Sequence, residues 1–186
     1  MADEEKGMPE GGTETPATEA EKQPNQVADP LVDAPDEAFF GSYDHAIDGK
    51  GRIIIPSEYR QKLGGKFTIG PTRDQKAIAL YPQKSWTAVL RELSALKRLH
   101  GGKPKVQAYL NRFYKYSYPD AEGDSQGRLL LPAKLRQVML GDVRDVEISG
   151  ALDHIRVVTS TKAAEDETYY KENEDEILEY IGTLDV

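Results

Sequence analysis

The sequence predicts a β-rich α+β fold in which one short βαβ-type motif is used twice, with a helical insert between the copies. Three observations predict it. A segment of 13 residues recurs 76 residues downstream. Short β-branched and aliphatic runs alternate with turns marked by glycine and proline. Between the copies, the apolar spacing changes from the strand period to the helix period.

Residues 1–38 are rich in Glu, Pro, Thr, Gly and Ala and nearly free of large apolar side chains. Such a segment cannot bury enough surface to offset its ordering entropy, so a disordered acidic leader is expected. The first copy, 39–81, opens at Phe39. Ser42 to Ile47 reads as a strand, Asp48-Gly49-Lys50-Gly51 as a turn and Ile53-Ile54-Ile55 as the returning strand of a hairpin. Pro56 has no N–H for a ladder and closes the strand. Ser57 suits the N-cap of a short helix to Leu63, which Gly64-Gly65 terminates. Strands near 67–69 and 77–81 follow, separated by a loop from Gly70 to Asp74.

The insert, 82–114, reads as a helical hairpin. Trp86, Val89, Leu90, Leu93, Leu96 and Leu99 recur at spacings of three and four between Pro82 and Gly101-Gly102. A second helix runs from Pro104 to about Tyr114, with Val106, Tyr109, Leu110 and Phe113 on one side.

The second copy, 115–159, repeats the first. Asp48 to Arg60 recurs as Asp124 to Arg136 with five of 13 positions identical and three more exchanging Ile for Leu. Average composition gives roughly one chance identity over such a window, so this is duplication. Phe67 and Ile69 match Val146 and Ile148, and Ile78 and Leu80 match Ile155 and Val157. A unit of about 45 residues buries too little surface to stand alone. The two units are therefore expected to interleave their strands in one barrel-like core around a pseudo-two-fold axis. Residues 160–186 read as an acidic C-terminal helix or tail.

The formal net charge is −8, but it is unevenly placed. Residues 1–38 carry 11 acidic and 2 basic side chains, residues 160–186 carry 9 and 2, and residues 39–159 hold 20 Lys+Arg against 12 Asp+Glu. A basic body between acidic ends is the layout of a polyanion binder. Cysteine is absent, which removes disulfides, thiolate metal sites and cysteine nucleophiles. His45, His100 and His154 lack ligand spacing, and Gly49-Lys50-Gly51-Arg52 lacks the length and ending of a phosphate-binding loop. No apolar run is long enough to span a bilayer, and no secretory signal is visible. The expectations are no catalytic residues, no metal, no cofactor, no small-molecule substrate and no membrane, in a cytoplasmic protein.

In both copies a glycine permits a tight turn, an arginine follows at once, and an apolar strand begins. Arg52 and Arg128 should project from rigid turns, where arginine can bond guanine O6 and N7 in a major groove. On a pseudo-dyad the two could read spaced half-sites. Lys50 adds charge to the first turn only, since Gln126 matches it. Arg60 and Arg136 follow on the short helices, where they could clamp phosphates. Asp48 and Asp124, with Gly51 and Gly127, are assigned to turn structure. The other reading has Arg52 and Arg128 pairing with Asp48 and Asp124 across their own turns, without touching any partner. The residues alone leave both open.

The stretch Phe40-Gly41-Ser42-Tyr43 through Asp48-x-Lys50-Gly51-Arg52-Ile53-x-Ile55-Pro56 resembles the opening of MraZ proteins, a family of transcription regulators. Leu80-Tyr81-Pro82 leading to Trp86, and Asp124-x-x-Gly127-Arg128-x-Leu130-x-Pro132, carry the resemblance to about residue 160. It implies tandem AbrB-like swapped-hairpin modules and subunits assembled into rings. It further implies binding of double-stranded DNA at tandem promoter repeats of a cell-division and cell-wall gene cluster, usually as a nucleoid-associated repressor. Under it, Arg52 and Arg128 are the DNA-reading residues, supported by Lys50, Arg60 and Arg136. The 38-residue leader departs from the family, as do Ser125 and Gln126. So does the lack of a tryptophan after Ile155-Arg156-Val157-Val158-Thr159, which bears on how the C-terminal helix packs. The competing function is an oligomeric protein-interaction module with purely structural arginine turns, and a third is a sequence-blind nucleic-acid binder.

Overall fold

A computed structural model of the chain describes residues 38–184; the expected disordered leader lies, but for Ala38, outside the described residues. The first repeat contributes β1 (Ser42–Ala46), β2 (Arg52–Ile54), α1 (Ser57–Leu63), β3 (Phe67–Pro71) and β4 (Ile78–Pro82). The insert is α2 (Gln83–His100) and α3 (Pro104–Lys115). The second repeat follows as β5 (Tyr118–Ala121), β6 (Arg128–Leu130), α4 (Ala133–Met139), β7 (Asp145–Gly150) and β8 (Ile155–Thr159), and the chain continues into α5 (Ser160–Glu172) and α6 (Glu174–Gly182).

All the strand pairings are antiparallel. They make a six-stranded sheet in the order β1-β7-β8-β4-β3-β5 and a separate two-stranded ribbon, β2-β6. Exchanging each strand for its counterpart in the other repeat reads the six-strand order backwards. The halves interleave: β1 of the first pairs with β7 of the second, and β5 of the second with β3 of the first. Ribbon register gives the same axis, since Ile53 lies opposite Leu129, its own counterpart.

Three expectations need correction. The strands do not close into one barrel among the described residues; they form an open sheet with the ribbon as a second layer. Nor do β1 and β2 form a paired hairpin. Beyond the turn they enter different sheets, β1 pairing with β7 and β2 with β6, both strands of the opposite repeat, and β5 and β6 diverge likewise. Ser57 is the first residue of α1 and Pro56 its cap, without a side-chain cap bond; the fixed φ of proline is already close to what a helix entry needs.

The sheet has a core on each face. Ile78 and Leu80 of β4 join Ile53, Leu129, Tyr59, Leu135 and Ile148 in the larger cluster beneath the ribbon. Ala79 and Tyr81, alternating with them, pack on the other face against Val89, Leu93, Leu110 and Phe113 of the α2–α3 hairpin. The C-terminal helix α5 covers β7 and β8. Arg156 ties it to the sheet through Asp166 at 2.6 Å. No helix among the described residues is long and apolar enough to cross a membrane.

Candidate nucleic-acid interface

The two glycine-arginine turns have one geometry, used twice. In the first, the Asp48 carboxylate accepts the N–H groups of Lys50 at 2.8 Å and Arg52 at 2.9 Å, and the Arg52 Nε at 2.7 Å. In the second, Asp124 accepts Gln126 N–H at 2.9 Å, Arg128 N–H at 2.9 Å and Arg128 Nε at 2.7 Å. Gly51 and Gly127 stand at φ +83° and +78° and donate back to the carbonyls of Asp48 and Asp124. Only glycine holds that conformation without strain. The Arg52 N–H, then its side chain, draws the Asp48 carboxyl down to about 2, and Arg128 lowers Asp124 in the same way. Accepting several N–H bonds favours the charged carboxylate.

The ribbon joins these turns. Ile53 and Leu129 point into the core, whereas Arg52, Ile54, Arg128 and Leu130 lie on the outer face. Gly51 and Gly127 extend the pairing, accepting from Leu131 N–H at 3.0 Å and Ile55 N–H at 2.8 Å. Arg52 sits opposite Leu130, and Arg128 opposite Ile54. Strand spacing and rise then put the two arginine Cα atoms roughly 8 Å apart and the two turns about 14 Å apart. That matches the width of a major groove, about 12 Å. It does not match half-sites a helical turn apart, roughly 34 Å; within one subunit the two arginines would address neighbouring base pairs, and spaced sites would need separate subunits.

Arg60 and Arg136, the expected phosphate contacts, each reach the glycine of the opposite repeat's turn. The Arg60 Nε donates to the Ile55 carbonyl at 2.8 Å, and its guanidinium lies over Gly127, on the turn of the other repeat. Arg136 crosses in the reverse sense and lies over Gly51, although its Nε has no partner among the described residues. These arginines lock each turn to the opposite repeat. Sequence reading missed this because the contact joins positions 67 and 85 residues apart; the sole trace is that Gly and Arg recur together in both copies. Lys50 is exposed on the first turn and Gln126 on the second.

A second polar cluster lies away from the ribbon. Arg73 bridges Glu92 of α2 at 2.8 Å and Asp153 at 3.1 Å, and Asp153 holds His154 Nδ1 at 2.6 Å. The His154 ring also packs by Tyr81. The cluster fastens the insert to the sheet. No group of metal-binding side chains occurs among the described residues.

Residues 38–105, from β1 through α2, match the family model described as "MraZ protein, putative antitoxin-like". Over 144 residues the chain is 36% identical to the "Transcriptional regulator MraZ" of Lachnoclostridium phytofermentans, covering 77% of this chain and 95% of that relative. The chain belongs to the MraZ family. Other MraZ relatives include those of Desulfitobacterium hafniense, 34% identical over 64% of this chain and 79% of the relative, and Moorella thermoacetica, 32% identical over 74% and 90%. The segment matched by the MraZ family model contains the first turn and the first helix of the insert.

Proposed function

We propose that this chain is a sequence-specific DNA-binding transcription regulator that reads the major groove with the outer face of its β2–β6 ribbon. The observation that carries this is the ribbon itself. Two arginines, each oriented by its own aspartate, stand on one exposed strip whose span fits the groove. A guanidinium has five N–H donors, and the aspartate engages one side of it, leaving the others for a guanine edge or phosphate. Lys50 adds a phosphate contact to the first turn, while Arg60 and Arg136 keep the turns in place. The relatives are named transcriptional regulators, a role without catalysis.

The finer reading follows the family resemblance. Residues 39–81 and 115–159 act as two AbrB-like repeats in a swapped-hairpin arrangement, for which the β1–β7 and β3–β5 pairings speak. Subunits assemble into a ring and bind tandem promoter repeats of a cell-division and cell-wall gene cluster as a repressor, in the cytoplasm at the nucleoid.

The Asp48–Arg52 and Asp124–Arg128 pairs are the specific support for the second reading, in which the turns are braces of a protein-interaction module. The double variant R52A/R128A separates the two. Each arginine bonded to a guanine edge contributes about 1–3 kcal/mol, so affinity for DNA upstream of the protein's own gene should drop at least ten-fold in a gel shift, with assembly intact. Unchanged DNA affinity would refute the reading, and equal affinity for scrambled DNA in the wild type would make the protein a sequence-blind binder.

A further inference from the structure

Most of the net positive charge of residues 39–159 resides on the insert. Residues 83–115, α2 and α3 with their joining turn, carry eight Lys+Arg and one Asp+Glu, whereas residues 116–159 carry five and seven. The insert packs on the sheet face opposite the ribbon. A duplex on the ribbon is separated from these cations by the sheet and its core, layers of about 10 Å each. Reading DNA with the ribbon therefore leaves the insert's charge unused.

Near the tip of the insert is a groove of about 620 Å³ whose lining includes Lys97, Arg98, Leu99, Leu110 and Tyr114. Leu99 is 67% exposed and Tyr114 42%. On the same chain, α6 buries no residue. Ile177, Leu178 and Ile181 share one face of it, with Leu178 54% and Ile181 52% exposed. Its charged residues are Glu174, Asp175, Glu176 and Glu179, with no cation. A nine-residue helix is too short to be stable by itself, and most helical stability comes from packing an apolar face.

We propose that α6 of one copy docks in the α2–α3 groove of a second copy. Leu178 and Ile181 lie against Leu99 and Tyr114, and the carboxylates meet Lys97 and Arg98. Charge complementarity selects this occupant: an acidic helix with an open apolar face fits a basic, mainly polar groove in which Leu99 and Tyr114 stand exposed, and phosphate would leave those two side chains uncovered. Because helix and groove are different surfaces, the contact is head-to-tail and propagates from copy to copy. The inference deepens the assembly part of the proposed function and stands apart from how DNA is read.

Sedimentation velocity on the full chain tests it with two surface variants, L178D/I181D in the helix and K97E/L99D in the groove. Both should keep the wild-type secondary structure by circular dichroism, since all four side chains are exposed within one subunit. Each variant should weaken self-association at least about ten-fold. An equimolar mixture should form heterodimers and stop there, because it contains one intact helix and one intact groove per pair. A monomeric wild type, or unchanged association in both variants, overturns the proposal. Association lost on removing residues 1–37 but kept in L178D/I181D reassigns the groove to the leader and overturns it too. So does a groove variant that loses affinity for duplex DNA while associating normally. R52A/R128A bears only on the ribbon, so the two readings fail separately.

Discussion

At the residue scale the turns depend on contacts between the repeats as much as on their own residues. A Cβ on Gly127 would lie 2.1 Å from Arg60 Nε, and one on Gly51 3.2 Å from Arg136 Cζ. Both positions also have positive φ. Gly127→Ala must displace Arg60 from the Ile55 carbonyl in addition to straining the backbone, so it should destabilise by about 1–3 kcal/mol in urea denaturation, more than Gly51→Ala. Combining Gly127→Ala with Arg60→Ala should recover part of that loss in a double-mutant cycle. The aspartates set a pH dependence. The Asp48 carboxyl is lowered to about 2 in the folded chain, so its stabilisation is complete above the ordinary carboxylate range and disappears as pH falls through about 2. Asp48→Asn should therefore unfold more easily than wild type at pH 6 and converge with it near pH 2, measured by denaturant midpoints.

At the scale of elements, the ribbon shows how little sequence separates a core strand from a recognition surface. Ile53, Ile54 and Ile55 are identical in kind, yet Ile53 and Ile55 are buried and Ile54 is 46% exposed. Strand alternation supplies the difference. Ile53→Ala should cost about 2–4 kcal/mol of stability and Ile54→Ala under about 0.5, both from urea denaturation. The short helices, the paired helices of the insert and the repeat alignment were legible because glycine, proline and apolar spacing mark them locally. Which strands pair was not legible from β1 to β2, where a turn signal stands without the ladder it usually joins.

On the scale of the whole molecule, charge is divided by layer. The ribbon carries few cations, each next to an aspartate, and the insert carries many on the far side of the sheet. DNA affinity should therefore show a shallow salt dependence for one subunit, steepened by the number of subunits on one duplex. Each neutralised phosphate contributes about 0.9 to the slope of log K against log salt. Lys50→Ala should reduce that slope by roughly one per bound subunit and weaken promoter and scrambled DNA alike, since phosphate contacts do not distinguish sequence. Fluorescence anisotropy over a salt series measures both.

The duplication, the twin turns with their aspartates and glycines, the helical insert and the charge segregation are determined by the sequence itself, because each is written in the type and order of residues along the chain and does not depend on which faces meet. Tertiary structure decided the rest. It set β1 against β7 and β5 against β3, left the sheet open, seated Arg60 and Arg136 on the opposite repeat's glycines, and put the insert behind the sheet from the ribbon. Those outcomes depend on which apolar faces bury each other across long stretches of chain. Neither local propensity nor spacing encodes such a choice, because the same alternating strand can satisfy its hydrogen bonds with any neighbour that covers its apolar side.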